Sequence, residues 1–250
     1  MSEPILRVED LKTQFFTSRG VVHAVDGISF HVDEGETVAV VGESGCGKTI
    51  TALSVLRLVP EPGKIVSGRI LFKGQNVVEM DDDQVRNYRG NDVAMIFQDP
   101  MTSLNPVTKV GAQIKEAMTA HDRFSSVQAT ERVVPLLKRV RVPAAENRVK
   151  DYPHQFSGGM RQRVMIAIAL ACGPDLLIAD EPTTALDVTV QAEIIELMRG
   201  LCAERGTAVL MISHDLGLVA NICRRVAVMY AGRIVEERNS DDIFRASAHP

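Results

Sequence analysis

The sequence predicts an α/β protein built on a mostly parallel sheet. Short continuous apolar runs, which are typical of strands covered on both faces, alternate along the chain with stretches of helical periodicity. Thr37–Val41 is one such run, and a helical pattern follows it from Lys48 to about Leu58. Leu176–Ala179 and Val209–Ile212 are further runs of this kind in the second half of the chain. Alternation of this sort indicates parallel strands connected through helices.

The segment before this core predicts short strands separated by turns. Its apolar residues are β-branched or alternate with polar ones at Ile5–Val8, Val21–Val25 and Ile28–Val32, and a polar turn occupies residues 33–36. The other predicted elements are a strand at Gly68–Phe72, a short helix at Asp83–Tyr88, a strand at Val93–Phe97, an amphipathic helix through Ile194–Leu201, and strands at Val226–Met229 and Arg233–Glu236 joined by a hairpin turn at Ala231-Gly232.

Residues 106–142 differ from their surroundings and predict a helical insert. Ala, Gln, Lys, Glu and Met recur there at helical spacings, and strand signals are sparse. Pro135 lies within Glu131–Val140, where its missing donor predicts that a helix either starts or kinks. After Gly158 the chain is apolar nearly all round a helix, which favours a buried one.

Composition and charge exclude several classes of protein. The 250 residues carry 28 Lys plus Arg against 32 Asp plus Glu, a net charge of -4, which argues against nucleic-acid binding through a basic face. The four cysteines are widely spaced and indicate reduced core residues. The acidic N-terminus does not resemble a signal peptide, and the longest apolar run, Val164–Cys172, is far shorter than the ~20 residues that span a bilayer. We therefore expect any membrane role to come through a partner.

A phosphate-binding loop is the clearest functional motif. The pattern G-x-x-x-x-G-K-[ST] is satisfied in full by Gly42–Thr49, between a predicted buried strand and a predicted helix. Glycines allow the backbone N–H groups of such a loop to face phosphates, and the helix adds its positive end. Lys48 can then reach the β- and γ-phosphates, and the Thr49 hydroxyl can bind Mg²⁺. By itself this motif leaves a kinase, a GTPase and a motor equally open.

Two further motifs narrow the choice. Asp180-Glu181 directly follows the predicted buried strand Leu176–Ala179. One of the two carboxylates can bind Mg²⁺, and the other can act as a general base on water. Ser157-Gly158-Gly159 opens the apolar helix, where a serine cap and two residues without Cβ expose N–H groups to an anion. A chain with one phosphate loop thus has a second predicted phosphate-binding surface.

With these motifs in order, the sequence resembles the ATP-binding cassette ATPases over essentially its whole length. Further matching positions are Gln98 at a strand end, Ala185-Leu186-Asp187, and His214 after a strand. The segments FQDPMTSLNP, at residues 97–106, and YPHQFSGGMRQR, at residues 152–163, resemble the di- and oligopeptide importers and their nickel-importing relatives.

The resemblance implies a fold and a domain organisation. Residues 1–105 and 165–250 would form a RecA-like core with an N-terminal antiparallel β subdomain, and residues 106–164 would form an inserted α-helical subdomain. Importers of this kind usually continue into a C-terminal extension, so the end of the sequence at Pro250 suggests either a trimmed chain or a naturally short member.

The resemblance also implies a head-to-tail dimer that closes on ATP and Mg²⁺. Gln98 would sense the transmembrane partner, and Ile50 stands where many members have a hydroxyl residue, which leaves a contact to the α-phosphate to the backbone. Within one chain the residues assigned to ATP are Phe15, stacked on adenine, with Gly42, Ser44, Gly45, Cys46, Gly47, Lys48, Thr49 and Ile50. Those assigned to ATP across the dimer are Ser157, Gly158, Gly159 and Asp187, those assigned to Mg²⁺ are Thr49, Gln98 and Asp180, and the catalytic set is Glu181, His214, Gln98 and Lys48.

The implied function is that of the ATPase subunit of a peptide importer at the cytoplasmic face of the cell membrane. Its expected partners are two transmembrane permease subunits, a second cassette of the same or a similar kind, and, through the permease, an extracytoplasmic substrate-binding protein. Nickel or another small solute remains an alternative cargo. An ATP-gated clamp outside transport is a further alternative, disfavoured because the sequence has neither a long coiled-coil insert nor a second cassette.

Overall fold

The computed structural model describes residues 3–99, 103–121, 123–183 and 186–246, and the chain forms two compact units, Met1–Val85 with Ala208–Pro250 and Arg86–Thr207. The strands are β1 Leu6–Thr17, β2 Gly20–Val32, β3 Thr37–Val41, β4 Gly63–Phe72, β5 Gln75–Asn76, β6 Val93–Ile96, β7 Leu176–Asp180, β8 Ala208–Ser213, β9 Arg225–Tyr230 and β10 Arg233–Asn239. The α-helices are α1 Lys48–Val55, α2 Asp82–Asn87, α3 Val110–Thr119, α4 Ser126–Arg139, α5 Ala145–Arg148, α6 Gly158–Leu170, α7 Val188–Ala203, α8 Leu216–Ala220 and α9 Ser240–Ala246.

The first unit begins with an antiparallel sheet in the strand order β2-β1-β4-β5, which confirms the predicted N-terminal antiparallel strands. The strands are longer than the sequence pattern predicts, and β2 is continuous where two strands are predicted. Asp10 and Gly27 have φ values of 46° and 76°, and the β1–β2 register shifts between Val8 and Leu11. Such bulges interrupt the polar–apolar alternation without ending a strand.

A second set of strands in the first unit carries the phosphate-binding motif. Their order is β10-β9-β3-β8, with β3 parallel to both β8 and β9 and β10 antiparallel to β9. Val38–Val41 and all of β8 are buried, as the continuous apolar runs predict. The loop before α1 follows the carboxyl end of β3, which lies between two parallel strands. Ligands of α/β proteins bind at this edge of a parallel sheet.

The second unit combines helices with a parallel pair of strands. Val93 of β6 pairs with Leu176 at the start of β7, and α3 packs against α4 and α6. Helix α6 is buried over most of its length, as predicted. Helix α4 runs through Pro135 from a capping box of Ser125 and Gln128, so of the two predicted alternatives the structure excludes a helix that starts at Pro135. The predicted helical segment 106–164 falls within this unit.

The four cysteines are free and buried, in agreement with their interpretation as reduced core residues. Burial raises the pKa of the Cys202 and Cys223 thiols to about 12, so neither forms a reactive thiolate near neutral pH. Across the described ranges, no helix combines the length and the apolar character needed to cross a bilayer.

A nearly buried ion cluster joins distant parts of the first unit around Arg225. Its guanidinium donates to both carboxylate oxygens of Glu36, at 3.2 and 2.8 Å, and to Glu237 Oε1 at 2.6 Å. It also donates to the carbonyl oxygen of His31 at 2.8 Å. Burial raises the pKa of the Glu36 carboxyl, but the hydrogen bonds from Arg225 and from the Asp33 backbone outweigh it, and the pKa lies below its ordinary value.

We expect Glu36→Gln to lower the free energy of unfolding by about 2 kcal/mol at pH 7, because a charge-assisted pair with Arg225 is lost. A carboxyl with a lowered folded-state pKa stabilises the fold above its unfolded pKa, and this contribution disappears as the pH falls through the folded value. The difference in free energy of unfolding between variant and parent should therefore be smaller in acid than at pH 7. Urea unfolding at pH 7 and at an acidic pH below the folded-state pKa of Glu36 measures it. Glu34→Gln, at an exposed neighbouring position, is the matched control, and a pH-independent difference would contradict the assignment.

Candidate functional site

Two glycines of the phosphate loop, Gly42–Thr49, lie tightly against backbone carbonyls of neighbouring strands. Gly42 has a φ of 153°, and a Cβ there would lie 2.1 Å from the carbonyl oxygen of Met229. Gly47 has a φ of 111°, and a Cβ there would lie 2.3 Å from the carbonyl oxygen of Ala24. Both positions therefore exclude any side chain, as the glycines of the motif require. The exposed Ser44 and Gly45 form the outer part of the loop.

Lys48 places its charge at the loop itself. The side chain is only 5% exposed, and Nζ donates to the carbonyl oxygens of Gly42 and Glu43 at 2.7 and 2.8 Å. The Cys46 Sγ atom lies 3.9 Å from the same nitrogen. The ammonium group is thus held where the β- and γ-phosphates are expected.

The first two residues after Lys48 differ in exposure. Thr49 is exposed at the start of α1, so its hydroxyl can reach a metal ion beside the loop. Ile50 is half-buried, and its carbonyl oxygen accepts a hydrogen bond from Ser54 at 2.7 Å within α1. These positions fit a nucleotide whose phosphates bind the loop and whose metal lies on the exposed side.

Two other predicted residues of the first unit lie in or directly after a strand. Phe15 is half-buried near the end of β1, and its ring lies over Gly63, where a Cβ would be 2.7 Å from ring atom Cε1. A side chain at Gly63 would remove the space that this ring occupies. His214 is exposed and directly follows β8, whose last residue, Ser213, accepts the backbone N–H of Asp215 at 2.9 Å.

In the second unit, the carboxyl end of β7 brings acidic and amide groups together. Asp180, the last residue of β7, is 2% exposed. Glu181 follows with a φ of 45°, a left-handed conformation that costs a non-glycine residue roughly 1–2 kcal/mol. Gln98 Nε2 donates to Glu181 Oε2 at 2.8 Å. The predicted sensor glutamine and the predicted general base are therefore in direct contact.

The predicted second phosphate surface lies at the start of α6. The Ser157 side chain caps this helix by accepting the backbone N–H of Met160. A Cβ on Gly158 would lie 3.2 Å from Leu186, and one on Gly159 would lie 2.9 Å from Val190 of α7. The two glycines thus allow α6 to approach Leu186 and the start of α7 closely, and Gly158 itself is exposed.

This surface borders an open cavity that also includes Asp187. Asp187 precedes α7, is exposed and makes no side-chain cap bond to that helix. Arg163 donates to Glu193 Oε2 at 3.0 Å on the same wall. The cavity, of about 560 Å³, is lined by Ser157, Gly158, Gly159, Met160, Arg163, Leu186, Asp187, Val190 and Glu193. Ala185, part of the motif beside Asp187, lies outside the described residues.

The predicted residues divide between the two units. Phe15, the phosphate loop and His214 belong to the first, while Gln98, the Asp180-Glu181 pair, Ser157-Gly158-Gly159 and Asp187 belong to the second. Sequence reasoning missed Ala24 and Met229, which enclose the loop through backbone carbonyls that no sequence pattern reveals. Within the described ranges, no group of three or more His, Cys, Asp or Glu side chains is placed to hold a metal ion.

Comparison with known proteins gives consistent similarities. Residues 25–184 match the family model described as "ABC transporter". The chain is 55% identical over 247 residues to the probable peptide ABC transporter ATP-binding protein y4tR of Sinorhizobium fredii, covering 98% of this chain and 74% of that protein. It is 53% identical over 247 residues to the oligopeptide transport ATP-binding protein OppD of Bacillus subtilis, covering 98% of this chain and 69% of that protein.

Solved structures show the same likeness. The ATP-binding cassette MJ0796, in a dimeric post-hydrolysis state bound to ADP and Pi, superposes with a TM-score of 0.83 and 25% identity, over 94% of this chain and 98% of that one. A component of the cbiONQ transporter complex from Clostridium perfringens superposes with the same TM-score of 0.83 at 28% identity, over 98% of this chain and 92% of that one.

Proposed function

We propose that this chain, which belongs to the ABC transporter family, is the ATP-hydrolysing subunit of an importer of di- and oligopeptides. The observation that carries the proposal is the tightly packed phosphate loop, whose Gly42 and Glu43 carbonyls hold the Lys48 ammonium. The peptide cargo is supported by the names of relatives at 50–55% identity over nearly the whole chain.

The phosphate loop and Lys48 bind the ATP phosphates in this proposal. The N–H groups of Gly42–Gly47 face the phosphate oxygens, and Lys48 exchanges its two carbonyl partners for the β- and γ-phosphates. Ile50 contributes its backbone at the α-phosphate, and Phe15 presents a ring face to the adenine.

The residues present fit Mg²⁺. A hydroxyl from Thr49, an amide oxygen from Gln98 and a carboxylate from Asp180 are the hard oxygen donors that this ion prefers. When bound, Mg²⁺ neutralises charge on the phosphates during transfer. Gln98 uses Nε2, not its amide oxygen, in the hydrogen bond to Glu181, so it can keep that bond while the oxygen serves as a ligand.

Glu181 acts as general base in the hydrolysis step. It accepts a proton from water as the water oxygen forms a bond to the γ-phosphorus and the bond from that phosphorus to ADP breaks. His214 donates a hydrogen bond to the γ-phosphate and helps to orient the water. The left-handed backbone at Glu181 sets the direction from which its carboxylate approaches.

A second cassette completes the site. Ser157, Gly158, Gly159 and Asp187 of one copy border an open cavity that a phosphate bound to another copy can enter. ATP binding would thereby close the dimer, and hydrolysis would release it. The identity of the second cassette, the same chain or a similar one, is decided by the transporter in which it works.

Membership of the family implies membrane permease partners for the chain. We place the chain at the cytoplasmic face of the cell membrane, bound to two permease subunits, with an extracytoplasmic binding protein delivering cargo to them. In this proposal the permeases and the binding protein, and not this chain, select the cargo.

Reconstitution tests the proposal. The chain is co-expressed with permease and binding-protein genes from its own genome, placed in vesicles, and assayed for ATP-dependent uptake of a labelled tripeptide and of Ni²⁺. Peptide uptake with peptide-stimulated ATP hydrolysis supports the proposal. Uptake of Ni²⁺ alone identifies the metal-importing alternative, and co-purification with ribosomes or DNA without permeases identifies a clamp.

A further inference from the structure

The hairpin turn between β9 and β10 lies directly behind the phosphate loop. Its central residues, Ala231 and Gly232, have φ values of 45° and 82°, the pattern of a two-residue turn with left-handed central residues. Ala231 is exposed, whereas Gly232 is buried against β2. A Cβ on Gly232 would lie 3.2 Å from the carbonyl oxygen of Ala24, the same oxygen that closes over Gly47.

Both polar groups of the Gly232 backbone are used, and one of them reaches the phosphate loop. The N–H of Gly232 donates to the carbonyl oxygen of Cys46 at 2.9 Å. Its carbonyl oxygen accepts the N–H of Asp26 in β2 at 2.8 Å. One turn residue therefore bridges the loop and the antiparallel sheet.

The bond to Cys46 fixes a peptide plane inside the phosphate loop. In a trans peptide the C=O and the following N–H point in opposite directions. Since the Cys46 carbonyl points to Gly232, the N–H of Gly47 points away from the turn. Rotation of this plane would turn a carbonyl oxygen toward the side where the N–H lies, and that would repel an anion.

An exposed ion pair supports the same turn from outside. Arg233 donates through Nε and Nη2 to Asp26 Oδ2, at 3.0 and 2.7 Å. The hydrogen bond from Arg233 lowers the pKa of the Asp26 carboxyl. Side chains and backbone thus both connect this turn to residue 26.

We propose that Gly232 is a positioning residue for the phosphate loop, holding the Cys46–Gly47 peptide in the orientation that binds nucleotide phosphates. The inference rests on the proposed function, since it concerns the same ATP site. It assigns to that site a residue that is distant in sequence from the phosphate loop and acts through the loop, without contacting nucleotide or metal itself.

The variant Gly232→Ala tests this, because alanine is strained at this φ and its Cβ presses on the Ala24 carbonyl. Gly206→Ala is the matched control, with a φ of 70° and nothing within 4 Å of its Cβ. We expect Gly232→Ala to raise the Kd for ATP and for ADP by about tenfold, with kcat at saturating ATP changed by less than about twofold. Gly206→Ala should leave every Kd unchanged, and AMP, which lacks the β- and γ-phosphates, should distinguish the variants least.

Thermal unfolding of both variants separates positioning from stability. A lowered Tm with an unchanged Kd for Gly232→Ala means that the residue only completes the fold, and it overturns the inference. Amide hydrogen exchange of the parent protein provides the second measurement in case the variant does not fold. Saturating ADP should slow exchange at the Gly232 amide but not at the Gly206 amide, and equal rates with and without ADP overturn the inference. A parent protein that binds neither ATP nor ADP contradicts the proposed function itself.

Discussion

Glu181→Gln should reduce kcat for ATP hydrolysis by about a thousandfold while leaving the Kd for ATP nearly unchanged, because the amide keeps the shape of the side chain and cannot accept the proton of water. Its oxygen can still accept the hydrogen bond from Gln98. Phosphate release measures the first quantity, and equilibrium nucleotide binding measures the second.

The same variant should accumulate a closed dimer with ATP, since in the proposed cycle ATP binding closes the dimer and hydrolysis reopens it. Size-exclusion chromatography with and without ATP detects that species. The control is Glu116→Gln, an exposed position on α3 of the same unit, which should behave as the parent protein. Hydrolysis that continues at the parent rate in Glu181→Gln would refute the assignment of this residue as the base.

Lys48→Ala should act on binding instead, raising the Kd for ATP by about a hundredfold, because a charge facing the β- and γ-phosphates is removed. The carbonyl oxygens of Gly42 and Glu43 also lose their donor, so the loop itself is less well held. Titration calorimetry with ATP, ADP and AMP measures the effect, which should be large for the first two and small for AMP.

Lys64→Ala, an exposed lysine of β4 in the same unit, controls for the loss of one positive charge. A Kd for ATP that stays within about twofold of the parent value in Lys48→Ala would show that the phosphates bind elsewhere. The two substitutions together separate the roles: Lys48 should change affinity, and Glu181 should change turnover.

Sequence motifs predicted the parts of the site that depend on local chain order. The phosphate loop, the strand ending at Asp180 and the serine cap of α6 are each a few consecutive residues whose backbone geometry follows from glycine content and strand or helix position. For the same reason the apolar runs predicted β3 and β8 closely, since strands buried on both faces leave an unmistakable pattern.

Contacts between distant residues were not predictable in this way. The Arg225–Glu36 cluster and the closure of Gly42 by the Met229 carbonyl join positions that no periodicity connects. A bulge caused a different error. Gly27 is a residue type typical of turns, so two strands were predicted where β2 continues through an irregularity. Likewise, the left-handed backbone of Glu181 has no signal in its residue type.

The position of β3 between β8 and β9 has a consequence for synthesis of the chain. Val41, which leads into the phosphate loop, pairs with Ser213 and Val228, so a strand made early waits for neighbours made much later. Such non-local pairing slows folding. During synthesis on the ribosome, the Met229 carbonyl that closes over Gly42 is missing until the end of β9 has emerged. Nucleotide can therefore stabilise only a chain that extends through β9, and we expect fragments that stop before β9 to gain no stability from ATP.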